Sequence, residues 1–192
     1  MQMEACVRFI DRDEVAARLT YELCIPLVRE AMIAFSTGET RQLLRAILPM
    51  EGGRLFGVMP GALAAGGPFG AKLISVYPEN FAKGAQSHQG VIVLFDRQSG
   101  APVCMVHAGE VTAIRTGAAS AVATDALARR DASRLAILGY GEQALTHARA
   151  IGKVRTLQAI HVWGRSRERA EALATKLSAE LATPARAAAS AQ

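Results

Sequence analysis

Three basic residues stand among apolar neighbours, where solvent-facing cations are seldom placed. Arg45 interrupts the strand-like run Leu43 to Leu48, Lys72 interrupts Ala71 to Tyr77, and Arg115 stands at the head of a long apolar pattern that Thr112 could cap. An arginine grips a carboxylate through a planar pair of N–H groups, while a lysine acts as a point charge or an acid–base group. In the first turn of a helix, Arg115 would meet the positive end of the dipole, a placement that an anion bound there would explain. Taken singly, each reads as structural or exposed. As a trio they suggest an amino-acid-like or imino-acid-like substrate.

A second constellation lies downstream. The apolar run Arg134 to Leu138 leads into Gly139-Tyr140-Gly141-Glu142-Gln143-Ala144, then a helical pattern to about Ile151, then the strand-like run Ala159 to Trp163. Strand, G-x-G-x-x-A, helix, strand is the context in which this glycine pattern points to a dinucleotide. The first glycine permits a tight turn, the second lets backbone approach a pyrophosphate, and Ala144 stands where a third small residue packs helix on strand. The bland alternative is a tight turn without a ligand. After the second strand an acid would bind a ribose 2′-hydroxyl. This chain has Trp163-Gly164-Arg165-Ser166-Arg167 there, with no acid before Glu168. A guanidinium and a hydroxyl suit a 2′-phosphate, which favours NADP(H) over NAD(H). The alternative is that these arginines flank a helix and face water.

Other reactive residues carry less. His107, His147 and His161 lack metal-ligand spacing, so no metal site is expected. His88 lies between a polar loop and an apolar strand. Gly66 to Lys72 resembles a phosphate loop but fails, because Ala71 separates Gly70 from Lys72 and Leu73 replaces the needed Ser or Thr.

Elements must hold these groups in place. A strand over Cys6 to Ile10 precedes a short helix, Glu14 to Leu19, for which Asp11 and Asp13 offer caps. A second helix capped by Thr20 carries Leu27, Val28, Ala31, Met32 and Phe35 at helical spacing and stops near Gly38. Pro26 either kinks it or marks its true first turn. Strands are expected over Leu43 to Leu48, Arg54 to Met59, Ala71 to Tyr77, Val91 to Phe95 and Pro102 to Val106. The glycine-rich stretch Gly61 to Gly70 and the turn Asp96 to Gly100 separate some of them. Small residues Gly117 to Ala123 would let another backbone approach the long helix. A third helix runs from Glu168 to about Leu181, and the tail from Thr183 has no clear stop.

With 192 residues, 51% hydrophobic and 20% charged, the composition is globular. The net charge of +5 comes from scattered residues and aromatics are only 5%, so neither nucleic acid nor membrane is expected as a partner. The three cysteines, Cys6, Cys24 and Cys104, are widely spaced, and the first thirty residues are too charged for a signal peptide. A soluble, cytoplasmic protein is expected.

Assembled, these stretches resemble the ornithine cyclodeaminase/mu-crystallin family. The likeness is carried by Met59-Pro60, Gly70-Ala71-Lys72 through Tyr77-Pro78-Glu79-Asn80, Ser87-His88-Gln89-Gly90, Gly100-Ala101-Pro102, Glu110 to Thr116, and Ile137 to Ala144. It implies an α/β protein: a mixed-sheet α+β substrate and dimerisation domain, followed by an incomplete Rossmann-type dinucleotide-binding domain. The first would span 1–130 and end in a connecting helix over 112–129. The second, 131–192, would be the N-terminal half of its domain, with only β-α-β-α after Ala132. The resemblance further implies that Arg45, Lys72 and Arg115 bind substrate and that Lys72 is the catalytic acid–base or polarising group. Ser87, His88, Arg115, Thr116, Gly139, Gly141, Glu142, Gln143, Ala144, Arg165 and Ser166 would surround the cofactor. Family members are typically homodimers through the N-terminal domain.

In cyclodeaminases a glutamate stands two positions before the Met-Pro pair; here that position is Gly57. Reduction of a cyclic or linear imino acid by NAD(P)H is therefore favoured over cyclisation of ornithine to proline and ammonia. A non-catalytic small-ligand-binding protein is a further alternative. Family members are much longer, and their catalytic aspartate lies in a second half that this chain lacks, so an inactive truncated product is also considered.

Overall fold

The computed structural model describes residues 7–63 and 66–190. Cys6 and two positions of the glycine-rich stretch fall outside the described residues, as do the last two of the tail. The chain divides into two compact units: residues up to Leu19 with Glu30–Thr112, and Thr20–Arg29 with Ala113 onward.

The first unit is built on a mixed seven-stranded sheet. Its strands are β1 (Arg8–Ile10), β2 (Arg41–Gln42), β3 (Ala46–Pro49), β4 (Leu55–Ala62), β5 (Phe69–Val76), β6 (His88–Phe95) and β7 (Pro102–His107). They run in the order β1-β7-β6-β5-β4-β2, with β3 also on β4. Among the described residues, β1 alone pairs in parallel in this sheet, on β7. Helix α1 (Arg12–Arg18) starts at Asp11, whose carboxylate accepts from the Glu14 N–H at 2.9 Å. The expected turn between β6 and β7 is present. Asp96 accepts there from the Ser99 hydroxyl at 2.7 Å and the Ser99 N–H at 2.8 Å, which holds its carboxyl below the usual range.

Two expectations for this region are corrected. Leu43 to Leu48 is not one strand. β2 pairs with Gly61 and Ala62, whereas β3 pairs with Leu55 to Val58, so three residues on one side face Met59 and Pro60 on the other. The extra residue and a proline without an N–H both break the ladder. Arg45 therefore lies in the connection, not within a strand. The long helix also starts earlier than Thr112. Helix α3 spans Ala108–Leu127, because the His107 ring nitrogen Nδ1 accepts from the Glu110 N–H at 3.1 Å and caps it. Arg115 is thus in the helix body, and the argument from its first turn does not hold.

The second unit holds a parallel sheet of β8 (Arg134–Leu138), β9 (Ala159–Trp163) and β10 (Ala185–Ala187), in the order β10-β9-β8. Helices α4 (Glu142–Ile151) and α5 (Arg167–Leu181) connect them. Ile160 and Val162 of β9 point into one core with Ile137, Ala148, Leu173 and Leu177. The strand β10 was not expected: the tail continues the βαβα pattern into a third strand. Three residues, Ala-Arg-Ala, carry too little alternation to announce one.

Helix α2 (Tyr21–Ser36) runs through Pro26, so Pro26 does not mark its first turn. Within the second unit, Arg29 pairs with Asp125 at 2.6 Å and Lys153 with Glu22 at 2.8 Å. The Arg155 side chain is only 10% exposed. It donates to Asp125 at 3.0 Å and to the carbonyls of Thr124, Asp125 and Ala128, closing the end of α3. The small-residue stretch of α3 has a close neighbour. A Cβ on Gly117 would stand 2.6 Å from the Thr146 carbonyl oxygen of α4.

Candidate functional site

In the first unit, Lys72 sits on β5 between Met59 of β4 and Ile92 of β6. It is half-buried, and its Nζ donates to Thr112 Oγ1 at 3.1 Å. A cavity of about 360 Å³ opens beside it, lined mostly by apolar groups including Phe35, Met59, Ile92 and Leu94. The cationic lining besides Lys72 is Arg41, which sequence reasoning missed; its signal was faint, a polar start to a two-residue strand. Arg45 does not line this cavity.

Ser87 and His88 precede and begin β6, and Ser87 Oγ lies 2.9 Å from His88 Nδ1. The register sets His88 opposite Val76, four residues along β5 from Lys72, or about 13 Å at the usual strand rise. The pair is placed on the sheet but not brought to Lys72. Where cyclodeaminases carry a glutamate, a Cβ on Gly57 would lie 3.0 Å from Ile47 and 3.1 Å from Ile74. That position is walled by two isoleucine side chains, which would have to shift for any side chain placed there.

In the second unit, Gly139 adopts φ 123°, a backbone that side chains rarely adopt, and its N–H donates to the Trp163 carbonyl at 2.7 Å. Gly141 is the N-cap of α4 and has no side chain to cap it. A Cβ on Gly139 or Gly141 would meet nothing within 4 Å, so the turn stands open. Glu142, Gln143 and Ala144 form the first turn of α4. On α3, Thr116 Oγ1 is buried with no hydrogen-bond partner, and the exposed Arg115 pulls against the burial that raises the Cys24 thiol. After β9, Ser166 caps α5 by accepting from the Arg169 N–H at 3.3 Å. Arg167 is tied to Glu171 at 2.8 Å, and the Arg169 guanidinium lies 5.9 Å from the Tyr140 ring centre. Arg165 is exposed and has no polar partner among the described residues.

A glycine turn with open space at Gly139 and Gly141, leading into a helix start without a side-chain cap, fits a pyrophosphate-bearing dinucleotide. Among the described residues no group of histidine, cysteine and acid side chains could hold a metal, and no helix is long and apolar enough to cross a membrane.

The fold is that of the Rossmann-like dehydrogenases: a parallel βαβαβ half with a glycine turn, in one chain with a mixed-sheet unit. The chain belongs to the ornithine cyclodeaminase/mu-crystallin family, whose model matches residues 7–192. It is 35% identical over 156 residues to Delta(1)-pyrroline-2-carboxylate reductase of Bacillus cereus, covering 81% of this chain and 48% of that protein. It is 32% identical over 184 residues to the ketimine reductase mu-crystallin of Rattus norvegicus, covering 93% and 59%. The structure of Thermococcus litoralis Delta(1)-pyrroline-2-carboxylate reductase in complex with NADH and L-proline superposes with a TM-score of 0.91 at 31% identity, covering 96% of this chain and 58% of that one. The chain thus spans about half to three fifths of the length of these relatives.

Proposed function

We propose that this chain carries the substrate-binding unit and the adenosine-binding half of an NADPH-dependent imino-acid reductase, acting on a cyclic or linear imine such as a pyrroline carboxylate. Lys72 carries the reading: a half-buried ammonium beside a small apolar cavity, in a chain similar to two imino-acid reductases. An apolar pocket with Lys72 and Arg41 on its wall suits a small ring bearing a carboxylate and an imine nitrogen.

When bound, the nicotinamide supplies the hydride for the imine carbon. Lys72 polarises or protonates the nitrogen, and Thr112 keeps its Nζ aimed. Arg41, on the wall of the same cavity, takes the carboxylate. The α4 start takes the pyrophosphate, while Arg165 and Ser166 take the 2′-phosphate. Because Gly57 is walled by isoleucine, ornithine cyclisation is the less favoured reading. We also propose a homodimer through the first unit, where Leu43 is 74% and Leu44 97% exposed. The cysteine usage, with Cys24 and Cys104 free, suits the cytoplasm.

The deciding experiment mixes the protein with NADPH and Δ1-pyrroline-2-carboxylate, and separately with NAD and ornithine. NADPH oxidation in the first mixture alone is expected. Turnover only in the second would establish the cyclodeaminase, and tight binding without turnover in either would leave a ligand-binding protein.

A further inference from the structure

Tyr140 occupies the variable place between the two glycines, where the turn itself requires no aromatic residue. The Cδ1–Cε1 edge of its ring lies against the next strand's turn. A Cβ on Gly164 would overlap Cδ1 and Cε1 of the ring and stand 3.6 Å from Cγ. The same two turns are joined by the Gly139 N–H to Trp163 carbonyl bond at 2.7 Å, and by the register Leu138 opposite Trp163. The ring also draws Arg169, whose guanidinium sits 5.9 Å from its centre. With Arg167 tied to Glu171, the arginine of this turn left with no polar partner among the described residues is Arg165.

We infer that Tyr140 is a positioning residue for dinucleotide selectivity. Its ring pins the backbone at Gly164 and holds Arg169 aside, so that Arg165 and the Ser166 hydroxyl meet a 2′-phosphate from a fixed turn. Gly164 belongs to the same device, since any side chain there would displace the ring. The inference rests on the dinucleotide reading above and adds to it the part that sets the preference.

The test is calorimetric titration of the full chain with adenosine 2′,5′-bisphosphate and with 5′-AMP, which differ only in the 2′-phosphate. The unsubstituted protein should prefer the bisphosphate. Tyr140→Ala should cut that preference by about tenfold, the scale of one charge-assisted hydrogen bond, with a smaller effect on 5′-AMP. Tyr140→Phe should retain the preference, and Gly164→Ala should lose it. An unchanged preference in Tyr140→Ala, or Tyr140→Phe losing as much as Tyr140→Ala, overturns the role of the ring while leaving the dinucleotide reading intact. If Tyr140→Ala does not fold, Gly164→Ala decides: preference lost supports the role, preference kept overturns it. Failure of the unsubstituted chain to bind either nucleotide removes both readings.

Discussion

Lys72 donates to the Thr112 hydroxyl at 3.1 Å within the first unit. Removing the acceptor takes away the contact that orients Nζ toward Thr112. Thr112→Val should lower kcat/KM for imine reduction by roughly tenfold, and Thr112→Ser should restore most of it. Steady-state kinetics with a pH profile checks this; a valine variant with wild-type kinetics removes the positioning role. Lys72 was legible in the sequence because a charge on an apolar strand has few explanations. Arg41 was not, because its relevance depends on a cavity assembled from α2, β4, β5 and β6. His107 was set aside as uninformative, yet its ring caps α3. A histidine cap is far less common than Ser, Thr, Asp or Asn, so residue type gave no signal.

At the scale of elements, β8, α4 and β9 were legible nearly to the residue, since strand, glycine turn and helix each announce themselves by type. The start of α3 and the break between β2 and β3 were not, because a ring nitrogen and a strand register decided them. Two predictions belong here. Gly117 faces the Thr146 carbonyl of α4, with 2.6 Å available to a Cβ. Gly117→Val should destabilise the second unit by about 1–3 kcal/mol through overpacking, visible as a lower Tm. The end of α3 is held by Asp125, whose carboxyl is pulled below its ordinary value first by Arg155 and then by Arg29. A depressed folded-state pKa adds stability above the unfolded value and loses it as pH falls through the folded one. Asp125→Asn should therefore be less stable than the parent at neutral pH, and the gap should close as pH falls below about 3.8. Denaturant titrations at neutral and acidic pH measure it; a gap that persists in acid removes the ionic explanation.

For the whole molecule, the two units differ in how their apolar surface is used. The second has a core in which Ile160 and Val162 are fully buried, and its exposed leucines, Leu23, Leu27, Leu127 and Leu138, are spread over α2, α3 and β8. The first leaves Leu43, Leu44, Leu48 and Leu63 open. Single exposed leucines are ordinary, but several on neighbouring elements of one unit suit a partner surface. If the proposed homodimer forms there, Leu44→Lys should yield monomer in sedimentation analysis. A monomeric parent protein would remove the dimer proposal. The family was legible from motifs spread along the chain, whereas cofactor preference depends on one turn.

The order β10-β9-β8 has a consequence for amide protons. The central residues of β9, Ile160 to Val162, have a strand on both flanks, so deuterium uptake there should require the whole second unit to open. Among the described residues β8 has a strand on one flank only, and successive amides in a strand point in opposite directions. Its amides should therefore label in alternation, every second one fast. A mass shift with that odd–even rhythm would trace the free flank of β8, residue by residue, and its loss would mark the moment another strand docks there.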